Sequence, residues 1–190
     1  DLVGLVDVLI VGAPDSSATC LEDFAPYAPA DGAPNAFMSA PIIDKGVVIG
    51  VLIAQLSIEE IDDVVTGGRH WRHEGFGETG EAYLVGPDFL LRSGLRAFYE
   101  NRDRYYAEAK AGGATDEQLD AVRRYDSPVL HQRAVTDATR AALGGTEGVG
   151  EITGYHGIPT LASWGPVTVP GLKWGLVAKT DSAEAFAPVR

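Results

Sequence analysis

The sequence predicts an α+β fold, in which an antiparallel sheet has helices packed on one face. Three observations support this prediction. Runs rich in β-branched residues are separated by short turns with Gly or Pro, the segments of helical composition are grouped between residues 97 and 143, and three further strands follow them. Strands, then a block of helices, then more strands are typical of an α+β domain.

The composition is that of a globular protein with a large negative charge. Of its 190 residues, 45% are hydrophobic and 22% are charged, and 27 acidic residues against 15 basic ones give a net charge of −12. This charge argues against binding to nucleic acid or to an anionic membrane surface, because both need a basic protein face. No apolar run approaches the roughly 18–20 residues that a membrane-spanning helix needs.

The charge is distributed unevenly along the chain, which predicts two modules. Residues 1–66 contain 11 acidic residues and one basic residue, Lys45, whereas residues 67–190 contain 16 acidic and 14 basic residues. We therefore expect residues 1–66 to form the C-terminal part of one module with a connecting helix, and residues 67–190 to form a second, complete module.

The first module is predicted to contain a hairpin and a helix. Two apolar runs, residues 37–43 and 47–56, flank a short turn at Asp44-Lys45-Gly46, as in an antiparallel hairpin. Ser57 and Glu60 form a capping box that begins the helix, and Gly67-Gly68 ends it. The remaining predicted elements are an apolar run over residues 1–11 that fits either a helix or a strand, a turn over 14–17, a strand over 19–24 and a Pro-rich loop over 25–35.

The second module is predicted to contain five strands and a central helical block. Thr115 with Gln118 and Asp181 with Glu184 have the spacing of capping boxes, and the second pair would begin a C-terminal helix. In that box the Asp181 carboxylate would accept from the Glu184 N–H, and Glu184 would reach back to the N–H of Asp181. The predicted strands cover residues 81–85, 89–93, 150–155, 160–166 and 174–180, and the predicted helices cover 97–110, 115–125 and 135–143.

The sequence contains no recognisable catalytic set. The segment His70-Trp71-Arg72-His73-Glu74 holds zinc-ligating residue types, but not at the His-Glu-x-x-His spacing that aligns two imidazoles on a helix. Gly77-Glu78-Thr79-Gly80 is predicted to be a backbone turn, because it lacks the Lys of a phosphate-binding loop. A single cysteine, Cys20, excludes an internal disulfide. We predict a domain that is not an enzyme, with no catalytic residue, metal or cofactor.

A ligand pocket against the second sheet is the better-supported prediction. Arginine and aromatic side chains on or near its strands suit a small anionic or amino-acid-like ligand. Arg92 has a competing role, since it could pair with Glu81 or Asp88 instead. The predicted ligand-binding residues are Tyr83, Arg92, Ser93, Arg96, Tyr155 and Trp164.

Several segments resemble the double Cache sensor domains of bacterial receptors, which have a PAS-like fold. The most specific is Gly75-Phe-Gly-Glu-Thr-Gly-Glu-Ala-Tyr-Leu-Val-Gly-Pro-Asp88 with Leu91-Arg92-Ser93 and Arg96. Residues 155–159, 171–178 and 181–188 resemble later parts of the membrane-proximal module. Residues 23–27, 34–37 and 50–56 resemble the end of the distal module, so the resemblance spans residues 20–190. It implies that residues 1–11 form a helix and that the first strands of the distal module are missing from this sequence.

The resemblance implies a small-molecule sensor outside the cytoplasm of a bacterium, in the periplasm or the extracellular space, attached to the inner membrane by flanking spans. Such domains pass their ligand state through the C-terminal helix to a cyclase, a histidine kinase or a chemotaxis output, and a homodimer is a further expected partner. The sequence departs from the family at Gly94-Leu95, where relatives carry polar residues. It also lacks the distal Arg-x-Trp motif of the amino-acid-binding members, since no Arg or Trp precedes Gly67.

Two other functions remain open from the sequence. One is a structural or dimerisation module with a vestigial pocket. The other is a metal-dependent hydrolase that uses the segment from His70 to Glu74.

Overall fold

The computed structural model describes residues 19–169 and 171–187, which form two compact units. The predicted helix over residues 1–11 and the turn over 14–17 lie outside the described residues. Among the described residues, the first unit contains residues 19–57 together with 169, 171 and 172, and the second contains residues 58–168 and 173–187. The unit boundary thus precedes the helix that follows Ser57, rather than following it at residue 66.

The first unit is a three-stranded antiparallel sheet in the order β1-β2-β3. Its strands are β1 (Cys20–Tyr27), β2 (Ala33–Asp44) and β3 (Val47–Leu56). The predicted hairpin turn is present, with Lys45 and Gly46 both at positive φ, the conformation that matches the twist of paired strands. The predicted Pro-rich loop is shorter than expected, because only residues 28–32 turn. Pro26 and Pro34 stand opposite each other in the β1–β2 register, where their fixed φ is compatible with extended backbone.

The second unit combines a four-stranded antiparallel sheet with six helices among the described residues. The sheet order is β4-β7-β6-β5. The elements in chain order are α1 (Ile58–Thr66), β4 (Glu81–Val85), α2 (Arg96–Glu100), α3 (Arg102–Ala111), α4 (Asp116–Tyr125), α5 (Asp137–Leu143), β5 (Gly148–Thr153), β6 (Pro159–Val169), β7 (Leu172–Asp181) and α6 (Ser182–Ala185). No helix in the described part of the chain has the length and apolar composition needed to cross a bilayer.

The core of the second unit lies between one face of this sheet and helices α2 to α5. Strand side chains alternate between the two faces, so every second residue of β4 points inward. The inward residues join large buried side chains of the helices in one continuous cluster, whose members include Tyr83, Val85, Ala162, Val177, Phe98, Tyr105, Leu119, Val122 and Ala138. Burial of this apolar surface provides the main stabilisation of the unit.

Helix α1 belongs to the second unit because a buried carboxylate attaches it there. Asp62 is fully buried, and its Oδ1 accepts from the Gly94 N–H at 2.6 Å while its Oδ2 accepts from the Tyr99 hydroxyl. Burial raises the pKa of Asp62 because the charged form loses its hydration. The helix also packs against β4.

Local hydrogen bonds explain where the helices begin and end. The Thr115–Gln118 capping box forms as predicted, with both reciprocal bonds present. The single helix predicted over residues 97–110 is instead two helices, because Asn101 is extended at φ −155° and its side chain accepts from the Arg104 N–H at the start of α3. The strand predicted over residues 89–93 is reduced to isolated bridges, since Phe89 takes a positive φ.

Candidate functional site

A charged cleft opens at one end of the second sheet, beside helices α2 and α3, with a cavity volume of about 40 Å³. Its floor is made by Glu81 on β4 and Lys179 on β7, which are paired in the antiparallel register. Both side chains point toward the helices because they lie two residues from the core residues Tyr83 and Val177. We define the charged cleft by its ionisable residues, which are Glu78, Glu81, Glu100, Glu108, Arg96, Arg104, Lys179 and His156.

Glu81 and Lys179 form a buried ion pair. The residues are only 3% and 7% exposed, and the Lys179 Nζ lies 3.2 Å from Glu81 Oε1. The Tyr155 hydroxyl donates to the same oxygen at 2.6 Å, and the Arg96 backbone N–H donates to Oε2 at 2.9 Å. Desolvation alone would raise the pKa of Glu81, but the ammonium and these hydrogen bonds outweigh it and hold the pKa below its ordinary value.

His156 extends this pair toward the end of β7. Its Nε2 lies 3.1 Å from the Lys179 Nζ, which donates to it, so the proton of the neutral ring sits on Nδ1. That Nδ1 is buried and has no hydrogen-bond partner among the described residues. Desolvation, reinforced by the nearby ammonium, lowers the pKa of His156. Asp181 Oδ1 lies 3.7 Å from the same Nζ, which brings the last residue of β7 into the cluster.

Arg96 forms the opposite wall and contributes a second unpartnered donor. Its Nη1 donates to the carbonyls of Gly77 and Gly80, both at 2.9 Å, and its Nε donates to Glu100 Oε2 at 2.9 Å. Its Nη2 is buried and has no partner in the described part of the chain. Since a buried N–H normally has an acceptor, Arg96 Nη2 and His156 Nδ1 are two donors, on residues that line the cleft, whose acceptor is missing among the described residues.

The turn between Gly77 and Gly80 holds a carboxylate of the C-terminal helix. Glu184 accepts from the backbone N–H groups of Glu78 at 2.7 Å and Thr79 at 2.8 Å, and also from the Thr79 hydroxyl. The hydroxyl bond, with the backbone bonds, lowers the pKa of Glu184. Gly77 has a positive φ, and a Cβ there would overlap this carboxylate, so the close approach requires glycine.

The capping box predicted at the start of α6 does not form, so this prediction is wrong. Asp181 does occupy the N-cap position, but its side chain makes no capping hydrogen bond. Glu184 binds the 77–80 turn instead, because two N–H groups and a hydroxyl there offer it more donors than one N-cap N–H does. The Asp181 N–H donates to the Thr79 hydroxyl oxygen at 3.1 Å.

The six sequence-predicted ligand residues do not all meet in this cleft. Arg96 and Tyr155 line it. Tyr83 is buried in the core, with its ring 5.5 Å from that of Tyr155 in an edge-to-face contact. Ser93 accepts from the Leu84 N–H through its hydroxyl at 2.9 Å. Trp164 lies over Gly148, where a Cβ would overlap the indole.

Arg92 takes the competing role considered from the sequence. Its Nη1 lies 3.1 Å from Asp88 Oδ1 and donates to the Leu90 carbonyl at 3.0 Å, although the residue is 97% buried. It therefore stabilises the turn after β4. Apart from Arg96, the ionisable residues that define the cleft were not predicted from the sequence; these are Glu78, Glu81, Glu100, Glu108, Arg104, His156 and Lys179. The available signal was one charged residue near the end of each apolar strand, two positions from an inward-facing residue: Glu81 two before Tyr83, and Lys179 two after Val177.

The histidine segment does not form a metal site with its neighbours. The rings of His70 and His73 lie 6.3 Å apart, and His70 Nδ1 is 3.3 Å from the Gly67 carbonyl. Within residues 19–169 and 171–187, no group of three or more His, Cys, Asp or Glu side chains is placed to hold a metal ion.

Comparison with known proteins identifies similar folds. No protein-family profile and no curated protein sequence matches the chain. The ligand-binding domain of the Pseudomonas aeruginosa PAO1 amino acid chemoreceptor PctB, solved with L-Arg, matches with a TM-score of 0.51 and 18% identity over 92% of this chain and 59% of that one. The ligand-binding domain of the Pseudomonas fluorescens chemoreceptor CtaA, solved with L-leucine, matches with a TM-score of 0.47 and 17% identity over 93% of this chain and 59% of that one.

A third similar structure is the extracellular domain of the putative histidine kinase mmHK1S-Z3, at a TM-score of 0.48 and 18% identity over 89% of this chain and 51% of that one. The chain thus spans between half and three fifths of the length of these structures. The match to PctB confirms the fold predicted from the sequence. The chain shares with that domain a mixed α+β fold, with antiparallel sheets and helices.

Proposed function

We propose that the chain is a small-molecule sensor domain of a bacterial transmembrane signalling receptor, and that the charged cleft binds its ligand. The observation that carries the proposal is a pair of buried donors, Arg96 Nη2 and His156 Nδ1, which have no partner among the described residues and belong to two residues that line one cleft. The similar fold of PctB, an amino acid chemoreceptor domain, supports the same assignment. On this proposal the domain binds rather than catalyses, and its output belongs to another part of the receptor.

The charges of the cleft favour an amino-acid-like ligand. The two unpartnered donors suit a carboxylate, for which the guanidinium fork has the matching geometry. Glu100 and Glu108 line the same cleft, where they pair with Arg96 and Arg104, and the second oxygen of each carboxylate suits an ammonium group. A zwitterion brings both charges, so neither side of the cleft is left unbalanced when the ligand excludes water.

The ligand state would reach the C-terminal helix through β7. Lys179 lies in the cleft floor, and Asp181, two residues further on, is the N-cap of α6. A ligand that favours one arrangement of the Lys179 cluster would shift the population of α6 positions in proportion to its differential affinity. We place the domain in the periplasm, with the first unit as the end of a distal Cache module, the second unit as the membrane-proximal one, and spans and a homodimer in the full receptor.

Binding of the L-amino acids to the 190-residue chain, by calorimetry, tests this function. At least one should bind, and Arg96→Lys, which removes the guanidinium fork but keeps the charge, should weaken it about tenfold or more. Arg104→Ala changes only the rim of the cleft and provides a second variant that keeps the buried contacts. Lys110→Ala is the matched control, because Lys110 is on α3 like Arg104 but pairs with Asp116 outside the cleft.

The same samples can report transmission to α6. Ligand binding should change amide hydrogen exchange over residues 182–187. If no amino acid binds, or if the bound one is unaffected by both cleft variants, the sensor assignment of this cleft is wrong. The dimerisation module with a vestigial pocket is then favoured, and sedimentation of the chain would test it.

A further inference from the structure

A second cavity lies next to Tyr155, which also lines the charged cleft. It has a cavity volume of about 220 Å³ and lies between the end of α3, the start of α4 and residues 132–135. We call it the amide cavity, because its polar walls are Gln118 and Gln132 together with Arg133. Tyr155 lines both spaces and is the only lining residue that they share. We infer that the amide cavity is a separate binding site for a small 2-hydroxy carboxylate, which goes beyond the proposed function of the cleft.

The strongest sign of a ligand is an unpartnered carbonyl. Gln132 is 94% buried, and its Oε1 has no hydrogen-bond partner among the described residues. A buried acceptor without a donor costs roughly 1–3 kcal/mol in folded proteins. A ligand hydroxyl or N–H group in the cavity would supply that donor.

Two further groups in the wall are donors. Gln118 uses its Oε1 to accept from the Thr115 N–H at 2.9 Å, which leaves its NH₂ group for another acceptor. Arg133 is exposed and its guanidinium makes no hydrogen bond or ion pair with any residue that the structure describes. A carboxylate can accept from both groups, and Arg presents the bidentate geometry that a carboxylate matches.

The charge of the amide cavity favours a hydroxy acid over an amino acid. Among the described residues, no Asp or Glu lines the amide cavity, and Arg133 is its one charged group. The charged cleft, in contrast, has four carboxylates. An ammonium group in the amide cavity would lose hydration without gaining a counter-charge. A hydroxyl satisfies Gln132 Oε1 at no such cost.

The remaining walls suit a short alkyl group. They are formed by small or apolar residues, which are Ala109, Gly112, Gly113, Ala114 and Val135, together with Tyr155. The space exists because four of these six positions carry either no side chain or a single methyl group. A 2-hydroxy acid of four carbons would therefore place its carboxylate at Arg133, its hydroxyl at Gln132 and its ethyl group against this wall.

Racemic 2-hydroxybutyrate and 2-oxobutyrate are the matched probes, because they differ only in whether the second carbon carries a hydroxyl donor or a carbonyl. Calorimetry on the 190-residue chain should show 2-hydroxybutyrate binding at least about tenfold more tightly than 2-oxobutyrate or 2-aminobutyrate. Arg133→Ala, at an exposed position, should weaken 2-hydroxybutyrate about tenfold or more. Gln132→Leu should remove the preference over 2-oxobutyrate. Arg140→Ala, another exposed arginine, should change neither value.

The outcomes distinguish this site from the charged cleft. The inference is wrong if 2-hydroxybutyrate does not bind, if 2-oxobutyrate binds equally well, or if Arg133→Ala and Gln132→Leu have no effect. Loss of 2-hydroxybutyrate binding in Arg96→Lys but not in Arg133→Ala would move that ligand to the cleft, which overturns the second site and leaves the sensor proposal intact. Binding of an amino acid to the cleft is measured separately and does not depend on either Arg133 or Gln132.

Discussion

Replacing Lys179 by Met tests whether the buried ion pair at the cleft floor determines the stability of the second unit. The substitution removes the ammonium 3.2 Å from Glu81 Oε1 and leaves a carboxylate that is only 3% exposed. The hydrogen bonds from Tyr155 and the Arg96 N–H remain, but they do not neutralise the charge. Breaking a buried pair in this way costs about 3–5 kcal/mol, a large part of the roughly 5–15 kcal/mol by which a domain is stable.

The double variant Glu81→Gln with Lys179→Met separates the charge from the packing. The Gln carbonyl can still accept one of the two hydrogen bonds, and neither residue then carries a charge. Exchange of a buried pair for neutral groups of similar volume is commonly neutral or stabilising. We therefore expect the double variant to recover most of the loss, to within about 1–2 kcal/mol of the original chain.

Urea titration followed by tryptophan fluorescence measures these changes in the second unit alone. The three tryptophans of the chain, Trp71, Trp164 and Trp174, all belong to that unit. A lower midpoint at unchanged slope reports a loss of stability rather than a change in the surface exposed on unfolding. The reasoning fails if Lys179→Met costs less than about 1 kcal/mol, or if the double variant is as unstable as the single one.

Three further predictions concern other titratable groups of the second unit. Asp62→Asn should keep or raise stability at pH 7, because burial raises the pKa of Asp62 and the amide carries no charge. Asp62→Ala should cost about 1–3 kcal/mol, because it leaves two buried donors unpaired. Urea titration ranks the two variants, and an Ala variant more stable than the Asn variant would contradict this prediction. His156→Gln should remove a loss of stability that the original chain shows below about pH 6.5. Burial and Lys179 hold the folded-state pKa of His156 below its unfolded value, so protonation favours unfolding. Melting temperatures from pH 5 to 7.5 test this, and an equal fall in melting temperature at acid pH in both proteins would count against it. Glu184→Gln should speed amide exchange in the 77–80 turn at pH 7. Because the pKa of Glu184 is lowered, the original chain should lose this protection only as pH falls below about 4.3. Unchanged exchange in the variant would show that the contact does not hold the turn.

The elements with local signals were predictable from the sequence. The Asp44-Lys45-Gly46 turn and the Thr115–Gln118 capping box depend on residues at most three positions apart, so the sequence contains all the information that forms them. The break at Asn101 was not predictable from periodicity, since α2 and α3 both have helical composition. It arises because the Asn101 side chain bonds the Arg104 N–H, a cap within a segment that reads as continuous helix.

The candidate site was predictable only in part, because its central contacts join distant residues. Arg96 and Tyr155 were expected near a ligand from their chemistry. The ion pair of Glu81 with Lys179 depends on the β4–β7 register, which joins strands almost 100 residues apart and is not encoded in either strand alone. Arg92 was expected at the site on the same chemical grounds as Arg96, and only the turn geometry that brings Asp88 within 3.1 Å distinguishes the two arginines.

Helices α1 and α6 are each held to the rest of the second unit by a carboxylate that accepts from backbone N–H groups. Both contacts lie close to Arg96. In α1 the carboxylate of Asp62 accepts from the Gly94 N–H, two residues before Arg96, and in α6 the carboxylate of Glu184 accepts from the turn whose carbonyls Arg96 binds. The Arg96 N–H also binds Glu81 in the cleft floor. A ligand that draws the Arg96 guanidinium toward its own carboxylate would therefore weaken the support of the 77–80 turn and, through it, the attachment of α6. Because each link is a hydrogen bond worth about 0.5–3 kcal/mol, differential binding of that size is sufficient to change the population of the attached state.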